Sequence, residues 1–100
     1  MNIDEITKII AEDIGSSGAI ARSMAERITN LHDDLKSAVD AYLAKKPVSF
    51  ALGDITLETI MKKEHCSLVE AFFSMNTLLG SPELAEKYKF LKFRKGCLEE

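Results

Sequence analysis

The stretch KKEHCSLVE, residues 62–70, sets His65 directly before Cys66 in a chain that holds two residues of each type. A thiol at a helix N-terminus can ionise below its ordinary pKa, and histidine is the usual base beside a nucleophilic cysteine. The spacing argues against that chemistry. Neighbouring side chains point about 100° apart on a helix and to opposite faces of a strand, so adjacent residues seldom exchange a proton. Catalytic Cys and His come from distant segments, and the other histidine, His32, has no cysteine near it in sequence. Ser67 with Glu70 is instead a capping box, the signature of a helix start. Cys66 then precedes the cap, placed to pack on Ala71, and His65 lies in the turn of a helical corner. No catalytic residues and no enzymatic activity are expected.

Metal binding fails by spacing as well. His65 has adjacent Glu64 but no ligand three or four residues away, and His32-Asp33-Asp34 is a consecutive run that fans around a helix as a solvated polar face. Cys66 and Cys97 form no C-x-x-C pair, so two free thiols are expected rather than a disulfide framework or a zinc site. No cofactor or small-molecule substrate is indicated.

The elements that must position these residues belong to an ordinary globular composition, 46% hydrophobic and 29% charged over 100 residues. The expectation is a single helical domain spanning 1–100. A chain of this size buries roughly 60–70% of its unfolded surface, which leaves room for a core and little for a deep active-site cleft. A net charge of -3 does not give the overall field of a nucleic-acid binder. No apolar run approaches the roughly 18 residues of a membrane span. Asp4 and Glu5 stand where a secretory signal would be positive, so a cytoplasmic location is expected.

Asn2 and Glu5 make an N-terminal capping pattern with Met1 and Ile6 at staple positions, and Ile3, Ile6, Ile10 and Ile14 describe one buried stripe. Gly15-Ser16-Ser17-Gly18 breaks that helix. From Ala19 to Lys46 there is no Gly or Pro, and Ala21, Met24, Ile28, Leu31, Leu35, Ala38 and Tyr42 follow at spacings of three and four. This predicts one long central helix in a/d register. Such a helix would extend roughly 42 Å, against about 33 Å across a compact domain of this size, so part of it should protrude or meet another molecule. Met24, Ile28, Leu31, Leu35, Ala38 and Tyr42 are therefore the candidate interaction seam, for a homodimer or a partner helix.

Residues 48–57 alternate with period two around Gly53-Asp54, which permits a small hairpin. An extended linker onto the bundle is preferred, because Asp54 or Thr56 can cap a helix holding Leu57, Ile60 and Met61. The corner 55–79 has the length of a DNA-binding helix-turn-helix. Its second helix, LVEAFFSMNTLL, lacks any Arg or Lys and is apolar around most of its circumference, the pattern of a buried central helix.

Ser81-Pro82-Glu83 starts a last helix, expected over 82–95, with Leu84, Tyr88 and Leu91 as its core stripe. Lys87, Lys89, Lys92, Arg94 and Lys95 interleave there with Tyr88, Phe90 and Phe93, and residues 87–100 carry +3 against -6 for the rest. They form a candidate patch for a weak anionic partner. The fold class is all-α, a four- to five-helix bundle with one long central helix and an extended linker before a helical corner. The expected function is non-enzymatic protein–protein interaction in a regulatory or adaptor role, with self-association through the long helix. The alternative is a nucleic-acid-associated regulator using the corner 55–79, the basic C-terminal helix 82–95, or both.

Overall fold

Asn2 opens α1 (Ile3–Ile14), its side-chain oxygen accepting the Glu5 amide at 2.9 Å, and Gly15, at φ 68, closes the helix in the left-handed region that favours glycine. The computed structural model describes residues 1–16, 18–94 and 97–99, with side chains described as far as Leu91. Ile6 and Ile10 carry the buried stripe, whereas Met1 stays 66% exposed and does not close a staple. The chain returns along α1 in α2 (Ala19–Ile28), which packs on it through Ala21, Ala25 and Ile28.

The long helix expected over 19–46 is two helices, and this corrects the sequence reading. Thr29 Oγ1 and Asn30 Nδ2 both donate to the Glu26 carbonyl, at 2.9 and 3.2 Å, so side chains compete for a carbonyl that a continuing helix would use. His32 then sits extended, its ring Nδ1 accepting the Asp34 amide at 3.1 Å. A 3₁₀ turn, Asp33–Leu35, leads into α3 (Lys36–Leu43). The backbone amide of His32 donates to Asn76 Oδ1 at 2.7 Å, which pins the bend to the centre of the molecule. The break removes the protrusion: the radius of gyration is 13.3 Å and the extents are 37 × 25 × 21 Å.

The preferred extended linker is in fact the small hairpin. β1 (Ala51–Leu52) pairs antiparallel with β2 (Ile55–Thr56), with Ala51 opposite Thr56 and Leu52 opposite Ile55. Gly53 supplies the positive φ, 61, that a two-residue turn demands. Thr56 serves as strand end and as cap, its hydroxyl accepting the Thr59 amide at 3.0 Å to open α4 (Leu57–Glu64). His65 ends α4 in the left-handed region at φ 53, ψ 52. Two residues later the Ser67–Glu70 capping box starts α5 (Leu68–Gly80), as the sequence predicts.

Helix α5 is the centre of the molecule and packs on α1, α2, α4 and α6 (Pro82–Lys87). Val69, Ala71, Phe72, Met75 and Leu78 are buried, and the Tyr42 ring meets Phe72 edge-on at 5.6 Å. One carboxylate ties three helices together: Asp13 Oδ2 accepts from the Tyr42 hydroxyl at 3.1 Å and from the Val69 amide at 3.4 Å. Its negative charge lies at the α5 N-terminus, where the helix dipole favours it.

Ser81 and Pro82 begin α6 as expected, but the helix does not run to residue 95. It ends at Lys87 and passes through a 3₁₀ turn, Tyr88–Phe90, into β3 (Lys92–Arg94), paired antiparallel with β4 (Cys97–Glu99). Alternating Lys-Phe-Arg suits an extended strand better than a helix face. β3 packs against α4. The fold is mostly helical, and among the described residues no helix is long and apolar enough to cross a membrane.

Candidate partner-binding surface

The six seam residues do not line an outer face. Ile28, Leu35, Ala38 and Tyr42 are buried in the chain's own core, and Met24 and Leu31 are half-buried against it. After the break at residues 29–32 the second half of the stripe still reaches the core, where the Tyr42 ring meets Phe72 of α5. The same positions that would have faced a partner are thus covered from within.

The Cys66–His65 pair is a corner. His65 is exposed in its left-handed turn, and Cys66 is half-buried against the core. Burial, followed by the Glu64 and Glu70 carboxylates, pushes the thiol up from 9.0 to about 11. A neutral thiol at physiological pH is the reverse of an activated nucleophile. Among the described residues no three His, Cys, Asp or Glu side chains converge as metal ligands would.

The end of α4 instead anchors the basic segment. Glu64 Oε1 accepts from Ser74 Oγ at 2.8 Å and its Oε2 accepts from the Tyr88 hydroxyl at 2.6 Å. Lys63 Nζ donates to the Tyr88 carbonyl at 2.5 Å and lies 4.9 Å from the centre of the Tyr88 ring. Burial and the Glu64 carboxylate raise the Tyr88 phenol well above its ordinary pKa, so it stays a proton donor. One consecutive acid–base pair on α4 thereby fixes both ends of a tyrosine 24 residues downstream of Glu64. Nothing in sequence marks that link beyond the expectation that Tyr88 belongs to the core.

Tyr88 points inward and its neighbours point outward. Lys87 and Lys89 are exposed on either side of it, and the Phe90 ring is 79% exposed. Lys62, also exposed, stands on the last turn of α4, the helix that packs against β3. Lys92 and Arg94 follow in β3, and Lys95 lies outside the described residues. The two regions that the sequence offered as alternatives, the helical corner and the basic end, are thus adjacent. Helix α5 itself contains no Lys or Arg, and its Val69, Ala71, Phe72, Met75 and Leu78 are buried in the core.

Beside this segment an open cleft of about 620 Å³ separates the β1–β2 turn from the end of α6, lined by Leu52, Asp54, Ile55, Lys63, Tyr88 and Lys89. Lys89 Nζ approaches Asp54 Oδ2 at 4.0 Å, an exposed and weak ion pair that an incoming anion can replace. No family model, curated protein or solved structure matches this chain.

Proposed function

We propose that the protein is a non-enzymatic, cytoplasmic regulator that works by binding an anionic partner through its basic end. The contact surface runs from Lys62 on α4 across Lys87, Lys89 and Phe90 toward the basic residues of β3. The observation that carries this reading is Phe90, 79% exposed between lysines on a segment that Glu64 and Lys63 hold rigidly by Tyr88. An aromatic ring this exposed gains little from burial in the free protein, and its position beside cations suits a contact made with something else. Burial of Ile28, Leu35, Ala38 and Tyr42 in the chain's own core favours the basic end over the seam as the contact surface.

Retention on a heparin column under a sodium chloride gradient tests the reading. A chain of net charge -3 with evenly spread charge would pass through. Retention at low salt, with the triple variant Lys87→Gln, Lys89→Gln, Lys92→Gln eluting earlier, is the expected result. Failure to bind at any salt concentration removes the proposal.

A further inference from the structure

We infer that the partner at this surface is single-stranded nucleic acid, with a base stacked on Phe90 and the phosphates neutralised by the surrounding lysines. The inference rests on the anionic-partner reading above and goes beyond it by naming the chemistry that the ring adds. Three features of the molecule select this occupant.

The first is the exposure of the ring beside cations. A protein interface is anchored by several apolar side chains that together exclude water. Among the described residues the exposed large apolar side chains are Met1, Ile20 and Phe90, and the first two belong to the α1–α2 end of the chain. Phe90 follows the exposed Lys87 and Lys89 in the chain and precedes the half-buried Leu91. One exposed ring within a basic segment is the minimal form of a stacking platform, in which an aromatic face takes a base while cations follow the backbone.

The second is the lack of a groove-reading helix among the described residues. A duplex keeps its bases stacked on one another and offers a ring no free face, so double-stranded recognition needs an element that enters a groove. The corner helix α5 is committed to the core. A single strand has unstacked bases to offer.

The third is rigidity. The backbone on either side of the stacking site is held by the Tyr88 hydroxyl on Glu64, the Tyr88 carbonyl on Lys63, and the Leu91 amide on the Tyr88 carbonyl at 3.2 Å. A ring presented from a fixed turn loses less conformational freedom on binding than one on a mobile tail.

Fluorescence anisotropy with labelled oligo(dT), oligo(U), a duplex of equal length and poly-glutamate would decide it, using the full chain, Phe90→Ala, Phe90→Trp and Lys87→Gln/Lys89→Gln. Phe90 is exposed, so its replacement leaves the fold intact, and circular dichroism verifies this. The expected result is binding to the single strands above duplex and poly-glutamate. Phe90→Ala should weaken it about tenfold or more at an unchanged salt slope. Phe90→Trp should retain affinity, with its indole fluorescence quenched on binding. Removing two lysines should flatten the salt dependence by up to about 1.4 log units per log unit of salt, about 0.7 per phosphate contact. Equal binding to poly-glutamate, a preference for duplex, or full affinity in Phe90→Ala would overturn this inference while leaving the anionic-partner reading in place. No binding to any of the four polyanions at low salt would remove both.

Discussion

The Tyr88 hydroxyl donates to Glu64 Oε2 at 2.6 Å, while Ser74 Oγ donates to Oε1 of the same carboxylate at 2.8 Å. A single acid at the end of α4 therefore joins α5 to the segment that carries the exposed lysines and Phe90. The bond is charge-assisted and half-buried, which places it among the stronger hydrogen bonds of a protein.

Tyr88→Phe removes the donor and keeps the ring. A bond to a charged group contributes about 1.5–3 kcal/mol, and a chain of this size shifts by roughly 4–8 °C for each kcal/mol. The variant should therefore melt markedly lower, with most of its secondary structure intact before the transition. Denaturant titration followed by circular dichroism gives the free energy. A midpoint equal to wild type would mean that the carboxylate is satisfied by Ser74 and water, and that the anchor lies in the Lys63 contact to the Tyr88 carbonyl.

Alkaline pH should weaken the fold before it affects a protein with exposed phenols. Tyr42 and Tyr88 are raised above their ordinary pKa, each by burial first and then by the carboxylate it touches, Asp13 and Glu64 respectively. Cys66 is raised to about 11. Each group keeps its proton in the folded chain at a pH where the unfolded chain has lost it. The unfolded state then binds fewer protons, and stability falls as pH rises. The loss should start near pH 9 with the thiol and steepen above 10 with the two phenols. Melting temperatures across that range, for wild type, Tyr88→Phe and Cys66→Ala, check it, and the slope should flatten in each variant. A flat profile through pH 11 in the wild type would show that these groups titrate as they do in the unfolded chain.

His65 occupies backbone space that suits glycine, at φ 53 and ψ 52. The left-handed conformation costs a side-chain-bearing residue roughly 1–2 kcal/mol, and glycine gives back part of that gain through its freer unfolded state. His65→Gly should therefore be neutral or up to about 1 kcal/mol more stable, and His65→Val less stable by about 1 kcal/mol or more. The denaturant midpoint at constant m-value reads both. A large loss on His65→Gly would show that the imidazole makes a contact the corner needs.

Local chemistry made the corner legible. Ser67 and Glu70 announce a helix start within four residues, and Ser81-Pro82 does the same for α6, because capping depends on neighbours in sequence. Periodicity was less discriminating than it looked. Leu31, Leu35, Ala38 and Tyr42 keep the three–four spacing of one helix, yet the chain turns between residues 29 and 32 and still delivers them to the core. Thr29, Asn30, His32, Asp33 and Asp34 were the warning, a run of residues whose side chains compete for backbone groups. The helix expected over 82–95 stops early for a related reason: Lys92-Phe93-Arg94 alternates as a strand does, and the cap at Ser81 marks where α6 begins but not where it ends. The Glu64–Tyr88 link depends on tertiary approach across 24 residues and leaves no local sign.

Leu35 separates a buried stripe from an intermolecular seam. Its side chain is 0% exposed at the 3₁₀ turn before α3, and Leu31 is half-buried four residues earlier. If the stripe were a dimer seam, Leu35→Glu would give a folded monomer. If it is core, the substitution forces a carboxylate into an apolar interior, a penalty of several kcal/mol against a total stability of about 5–15 kcal/mol, and the chain should largely unfold. Leu31→Glu can turn its charge to solvent and should cost less. Circular dichroism with light scattering distinguishes the cases. Unfolding of the Leu35 variant beside a folded Leu31 variant places the stripe inside one chain. A folded, monomeric Leu35→Glu protein from a dimeric parent would return the seam to an interface and move the contact surface away from the basic end.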